Sequence, residues 1–253
     1  MVGLLVSIAC VIVGTYVVVK RIVFISGGIS HTAYGGVGLG YLVGIPPMVG
    51  ATVFTVLAAL AMGEVSHRVK QREDTIIGMM WAVGMALGVI FVKLSPGYTG
   101  DLMSYLFGSI LAVPLTDLYL ILALNVVILF IVILYHDQFT LTAFDEEFAQ
   151  VIGVNTRLYN QLLLVVIALT VVVMIRAVGI ILVIALLTIP PATATLFTRS
   201  MTGMMAFSMI LSAVFTTGGL VISYLFDLPS GATIIILCAL GYMVGSLLAG
   251  RKN

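Results

Sequence analysis

Apolar runs of about 20 residues recur along the whole chain, and they limit the fold more than any other feature of the sequence. A helix of that length crosses a hydrocarbon core about 30 Å thick. Charged residues make up only 8% of the 253 residues, whereas soluble domains contain about 25%. The sequence therefore predicts an all-α, polytopic membrane protein with a single transmembrane domain over residues 1–253. The net charge of +1 does not favour a nucleic-acid partner.

The apolar runs predict nine spans of the lipid bilayer. These are residues 1–19, 22–45, 47–63, 75–92, 115–135, 161–178, 179–198, 203–226 and 233–249. A further apolar segment, Asp101–Val113, lies between Pro96-Gly97 and Pro114, and at about 20 Å as a helix it is too short to cross. We expect a bundle of eight or nine spans, with this segment as a re-entrant or interfacial helix.

The basic residues favour one orientation of these spans, because positive charge is retained on the cytoplasmic side during insertion. With the N-terminus outside, nine of the eleven Lys and Arg residues fall in inner loops. Those nine are Lys20, Arg21, Arg68, Lys70, Arg72, Arg157, Arg199, Arg251 and Lys252. The predicted location is the inner (cytoplasmic) membrane, with the C-terminus in the cytoplasm.

The second span contains Ile25–Gly40, in which six glycines surround Ser30 and His31. His31 is the one histidine within a predicted span, and an ionisable group at membrane depth is costly enough to indicate function. Imidazole binds transition metals. His31 is therefore a candidate ligand on a metal path, with Ser30, Tyr34 or the outer Asp101 as candidates to complete it. The alternatives are that His31 is hydrogen-bonded to a neighbouring helix and that Asp101 caps a helix.

The longest predicted inner loop contains Phe144–Gly153, whose sequence predicts a short cytoplasmic helix. Asp145 fits an N-cap, the glutamates after it favour the positive end of the helix dipole, and Gly153 fits a C-terminal stop. Apolar residues outside the spans must dock on lipid or on another protein. The other candidate contact residues of this helix are Phe144, Glu146, Glu147, Phe148 and Ala149.

A proline pair, Pro190 and Pro191, lies in the seventh span. Two prolines remove two backbone donors, so the sequence predicts a break or kink there. A break at membrane depth is tolerated where it is buried or lines a cavity.

Four motifs in this order resemble the zinc- and manganese-uptake permeases of bacterial and archaeal ABC importers. They are Ser30–Gly40, Asp101–Val113, Phe144–Gly153 and Ile189–Thr195. The resemblance covers nearly the whole chain. It implies an ABC importer permease fold that pairs with a second copy, binds two cytosolic ATPase subunits and receives metal from an extracytoplasmic binding protein.

The same resemblance implies roles for particular residues. It places His31 on the metal path, and it places Glu147, Ala149 and Gly153 in the loop that couples the permease to its ATPase. Many members carry an aspartate where this chain has Gly27. That departure changes the composition of any transient metal site, and the sequence does not distinguish zinc from manganese.

Other functions fit the sequence less well. An intramembrane protease is disfavoured because neither G-x-S-x-G nor H-E-x-x-H occurs. An ion-coupled secondary transporter would place acids or bases at mid-membrane, where this chain has only His31 and Arg176. A permease for iron chelates or cobalamin remains the alternative. Because no phosphate-binding G-x-x-x-x-G-K-[ST] loop occurs, we expect a transport subunit that is not itself an enzyme, with ATP hydrolysed by a separate subunit and no permanent cofactor.

Overall fold

The computed structural model describes residues 2–68, 73–96, 108 and 113–250, and all regular elements in these ranges are α-helices. The helices are α1 (Val2–Val19), α2 (Val23–Val43), α3 (Pro47–Arg68), α4 (Glu73–Leu94), α5 (Leu115–Leu134), α6 (His136–Phe144), α7 (Glu146–Val151), α8 (Thr156–Thr195), α9 (Met201–Phe226) and α10 (Ser230–Gly250). The predicted all-helical fold is confirmed. Apart from Gly108 and Val113, the predicted re-entrant segment 101–113 lies outside the described residues.

Seven helical segments in the described ranges are long and apolar enough to cross a membrane. They are Pro47–Ser66, Ile77–Leu94, Asp117–Leu134, Thr156–Ile175, Ala177–Thr195, Met201–Phe226 and Ser230–Gly250. The apolar part of α1, Gly3–Val19, is shorter, and α2 has 21 residues that include six glycines. The predicted count of eight or nine spans is slightly above these seven segments, and the chain is a multi-pass membrane protein.

Helix α8 contains 40 residues, and a straight helix of that length would be about 60 Å long, twice the hydrocarbon thickness. Its helical dihedral angles are interrupted at Gly179, with φ 79° and ψ 161°, a conformation that glycine adopts without a steric penalty. Gly108 lies directly against the backbone of Val178 and Gly179. The interruption divides α8 into two segments of spanning length, at the predicted boundary between residues 178 and 179.

Of the predicted break or kink at Pro190 and Pro191, the break is absent, because α8 continues through the pair with helical dihedral angles. Pro191 has no N–H to donate, so the carbonyl of Leu187 loses its normal partner within the helix. Gly14 of α1 lies against this carbonyl, so closely that a Cβ atom would not fit. The backbone of α1 thus packs directly over α8 at the proline pair.

The core of the bundle is formed by α1 and α8. Most residues of α1 are buried, and the two segments of α8 are the most buried of the seven spanning segments. Polar contacts attach neighbouring helices to α1. The side-chain amide of Asn125 in α5 donates to the Leu5 carbonyl at 3.1 Å, and the hydroxyls of Ser7 and Thr216 lie 3.3 Å apart, which joins α1 to α9. Hydrogen bonds between helices are a usual addition to packing within a bilayer.

Helix α2 packs on both α3 and α4 through glycines. Close pairs along the interfaces include Gly27–Trp81, Thr32–Gly84 and Gly38–Gly88 with α4, and Gly28–Met62, Gly36–Ala51 and Gly40–Pro47 with α3. In the pairs with α4, the residue numbers of both helices increase in the same direction. In the pairs with α3, the numbers increase along α2 while they decrease along α3. Helix α2 is therefore parallel to α4 and antiparallel to α3, as expected of three successive spans. Small residues allow this close backbone approach.

Replacing Gly14 with alanine should lower the free energy of unfolding by about 1–3 kcal/mol, because the new Cβ must displace the Leu187 carbonyl. Gly78→Ala in α4 is the matched control, since a Cβ there meets no atom within 4 Å. The control should be neutral or stabilising by up to about 1 kcal/mol. The Tm of each purified variant in the same detergent measures the effect, and equal Tm values would contradict the α1–α8 contact.

Candidate functional site

The candidate site is centred on His31, which lies eight residues into α2 and about 12 Å along the helix from its first residue. The neighbouring hydroxyls bond within their own helix: Ser30 donates to the Ser26 carbonyl at 2.7 Å and Thr32 donates to the Gly28 carbonyl at 2.6 Å. Nδ1 of His31 is buried and has no hydrogen-bond partner among the described residues. Within α2 it is the one buried side-chain polar atom in this state.

An unpaired buried nitrogen costs about 1–3 kcal/mol, and a group retained at such a cost is a candidate for binding something outside the protein. The hydrogen-bonded packing role considered for His31 is not supported at Nδ1, because this atom has no partner in the described part of the chain. An imidazole nitrogen in this state keeps a lone pair or a proton that no described residue uses. Because Nδ1 is buried, a ligand would reach it only after the surrounding side chains move.

The ring of His31 stacks on the indole of Trp81 in α4, with ring centroids 4.2 Å apart and planes inclined by 17°. Both residues are half-buried. Trp81 also lies over Gly27, one helical turn before His31, where a Cβ atom would be 3.3 Å from the indole Cζ3. The two helices thus hold the imidazole against an aromatic plane.

The other residues predicted on the path have different surroundings. Ser30 is fully buried with its hydroxyl donated to its own helix. Tyr34 is 6% exposed and packs against Gly88 of α4. Asp101 lies outside the described residues. Within the described ranges, no group of three or more His, Cys, Asp or Glu residues is arranged to hold a metal ion, so His31 is not part of a tight multidentate site there.

The predicted helix over residues 144–153 is shorter in the structure. Phe144 ends α6, Asp145 is extended, and α7 covers only Glu146–Val151. The predicted cap is present, since a carboxylate oxygen of Asp145 accepts from the Phe148 N–H at 2.9 Å. Gly153 follows the helix with φ +89°, as its predicted role as a stop requires.

One side of α7 is fastened to the bundle. The carboxylate of Glu146 accepts from Lys20 Nζ at 3.3 Å and from Asn160 Nδ2 at 3.1 Å, and Lys20 Nζ also donates to the Thr142 carbonyl at 3.1 Å. Ala149 is fully buried. These contacts join α7 to the end of α1 and the start of α8, so Glu146 faces the bundle.

The other side of α7 is open. It is lined by an exposed surface of apolar side chains together with Glu147, which is also exposed. The apolar members are Phe144, Phe148, Val151 and Ile152, each more than half exposed. An apolar surface outside the spans suits contact with another protein.

A cavity of about 290 Å³ with a mixed polar and apolar lining lies beside α7, at the ends of α1, α3 and α8. Its lining includes Lys20, Ser66, Glu146, Arg157 and Gln161. Arg157 also pairs with Glu64 of α3. All of these residues belong to loops or helix ends predicted on the inner side, and the structure brings them to one end of the bundle.

Sequence reasoning missed the partners of these residues. Trp81 is the only tryptophan of the chain, and it precedes Gly84 and Gly88 at the i+3 and i+7 spacing of one helix face, which is the signal that could have placed it against α2. Nothing in the sequence pairs Glu146 with Lys20, which is 126 residues away.

Comparison with known proteins places this geometry among transport proteins. The ABC 3 transport family matches residues 1–249. An uncharacterised membrane protein of Synechocystis sp. is 46% identical over 242 residues, which are 96% of this chain and 86% of that protein. The manganese transport system membrane protein MntC of Halalkalibacterium halodurans is 32% identical over 237 residues, covering 94% and 81% of the two chains. The solved structure of PsaBC from Streptococcus pneumoniae in complex with Fab has a TM-score of 0.86 and 31% identity, covering 96% and 88% of the chains.

Proposed function

This chain belongs to the ABC 3 transport family, and we propose that it is the permease subunit through which a divalent transition metal ion, manganese or zinc, enters the cell. The observation that carries the proposal is the partnerless, buried Nδ1 of His31 in α2, which corresponds to the second predicted span. Imidazole nitrogen suits zinc, whereas manganese prefers oxygen ligands such as backbone carbonyls and water, which would have to accompany His31. The name of the MntC relative supports manganese as the first metal to test.

His31 would hold the ion briefly. A single nitrogen adds no negative charge, and no cluster of further His, Cys, Asp or Glu ligands surrounds it among the described residues. A transported ion must bind well enough to enter and weakly enough to leave. One imidazole beside water or backbone ligands meets both requirements better than a closed cage.

The energy would come from two cytosolic ATPase subunits seated on the open side of α7, one under each copy of a permease dimer. The exposed Phe144, Phe148 and Val151 supply an apolar contact for such a partner. On its other side, Glu146 fastens α7 to α1 and α8, the core helices of the bundle. A displacement of α7 by the ATPase would therefore move those helices and support alternating access.

The end of the bundle that carries α7 would face the cytoplasm. The positive-inside distribution supports this direction, and the Lys20–Glu146 and Arg157–Glu64 pairs lie at that end. An extracytoplasmic binding protein would then deliver metal at the opposite end, where α9 ends before Asp227.

A valine at position 153 should uncouple transport from ATP hydrolysis. Gly153 has φ +89°, and a Cβ added to it would meet no atom within 4 Å, so the substitution strains the backbone after α7 without a clash. Gly44→Val is the matched control. Gly44 has φ +77° and equally open surroundings, and it follows the last residue of α2, about 30 Å along that helix from its first residue.

Both variants should lose similar stability, but only Gly153→Val should reduce ATP-driven uptake. If the strain favours a displaced α7 by about 1 kcal/mol, the coupling-competent position becomes about fivefold less populated, and uptake should fall by about that factor. Co-purification of the ATPase and metal uptake measure the difference. Equal uptake by the two variants would contradict the role of α7.

Substitutions of His31 test the metal path itself. His31→Ala and His31→Gln should each reduce manganese uptake by about tenfold or more, since loss of metal-site contacts has effects of that order, while His31→Asp, which restores an oxygen ligand, should retain more transport or change the preferred metal. Uptake is measured in cells at matched protein levels. Full activity of His31→Gln would show that hydrogen bonding, not metal ligation, is the role of this residue.

A further inference from the structure

Trp81 covers two positions on the same face of α2. Its indole stacks on the His31 ring at a centroid distance of 4.2 Å. Its Cζ3, Cη2 and Cε3 atoms also lie 3.3, 3.7 and 3.9 Å from the place where a side chain at Gly27 would begin. A single residue of α4 therefore bounds the surroundings of the candidate ligand on two sides.

The position of Gly27 matters because it is four residues before His31. Side chains at i and i+4 on a helix lie on one face, and a pair of ligands at this spacing can bind a single ion. Gly27 supplies no side chain, and the indole fills the adjacent space. A second ligand from α2 is thus absent at the place where it would be most effective.

The indole has little freedom to withdraw from α2. One turn further along α4, a Cβ at Gly84 would lie 2.8 Å from Thr32 Cα, and two turns along, a Cβ at Gly88 would lie 2.7 Å from the Tyr34 carbonyl oxygen. These contacts bring the two backbones together beside Trp81. The stacking on His31 is therefore imposed by helix packing, as well as by the attraction between the rings.

We infer that Trp81 is the positioning and specificity-determining residue of the ion path: it fixes the His31 ring and occupies the space of a second ligand, so that α2 offers a passing ion one nitrogen. This inference rests on the proposed function. Trp81 acts through His31 and excludes a ligand at position 27. Removing the indole while adding a carboxylate at position 27 should convert a transient contact into a binding site.

The first test uses Trp81 as the only tryptophan of the full chain. The protein is purified in detergent, and its tryptophan emission is recorded during titration with MnCl₂ or ZnCl₂, with MgCl₂ as a control ion that binds oxygen ligands in preference to imidazole. A saturable change with manganese or zinc, absent with magnesium and absent in His31→Ala, is expected. An identical response in His31→Ala would overturn the inference that the ion is sensed through the stacked ring.

The second test examines whether Trp81 excludes a ligand at position 27, separately from its contact with His31. It measures equilibrium binding of manganese and zinc to purified variants. Gly27→Asp alone should bind no better than the wild type, because the indole occupies the required space, while Gly27→Asp with Trp81→Ala should bind about tenfold more tightly, a difference of about 1.4 kcal/mol. Trp81→Ala alone is the control for removal of the ring. Equal affinities of the single Gly27→Asp variant and the double variant would overturn the exclusion role.

The third test is transport by Trp81→Phe and Trp81→Leu at equal amounts of folded protein. Phenylalanine preserves stacking and should keep most uptake and the wild-type ratio of manganese to zinc transport, whereas leucine preserves apolar bulk alone and should change that ratio. Wild-type behaviour of Trp81→Leu would overturn the positioning role while leaving the proposed function intact. Absence of manganese and zinc uptake by the wild type would instead contradict the proposed function, whatever the variants bind.

Discussion

The close backbone contact between α2 and its neighbours is the constraint on which the site depends. Glycines on both sides of the interface let α2 approach α3 and α4 so closely that added Cβ atoms would collide with backbone. This proximity fixes the rotation of α2 about its own axis, since a small turn would bring larger side chains into the contact. The direction of His31, and its stacking on Trp81, follow from that rotation.

Packing between helices also connects the candidate site around His31 with the end of the bundle that carries α7. Helix α1 packs along α8 through Gly14 and then reaches α7 through Lys20 and Glu146. Helix α8 packs on α2 and α3 and reaches α7 through Asn160. A movement of α7 would thus reach the helices around His31 through rigid, packed elements.

The parts of the fold that depend on local sequence were predictable. Apolar length set the spans, the boundary between residues 178 and 179 coincides with the dihedral interruption at Gly179, and Asp145 caps α7 as its residue type indicates. The parts that depend on distant neighbours were not predictable. Pro190 and Pro191 do not break α8, which stays helical through the pair where α1 packs against it at Gly14 and Leu187.

The candidate site likewise contains one residue that the sequence predicts and contacts that it does not. His31 was identifiable from the sequence because an ionisable residue inside an apolar run is unusual. Its stacking partner was not, since Trp81 is 50 residues further along the chain and meets α2 only through the glycine contacts. The sequence pattern places Glu146 among the contacts with a partner protein, yet its carboxylate accepts from Lys20 and Asn160. These two donors come from other helices, so the local sequence does not reveal them.

The central claim, that the chain is the metal-conducting subunit of an importer, is tested most directly by transport into proteoliposomes. The chain is reconstituted with its ATPase and binding-protein partners, and uptake of radioactive manganese and zinc is measured with and without ATP, beside radioactive cobalamin and a ferric chelate. The account predicts ATP-dependent accumulation of manganese, zinc or both, and none of the larger substrates. ATP-dependent uptake of cobalamin or the iron chelate without uptake of the bare ions would contradict it.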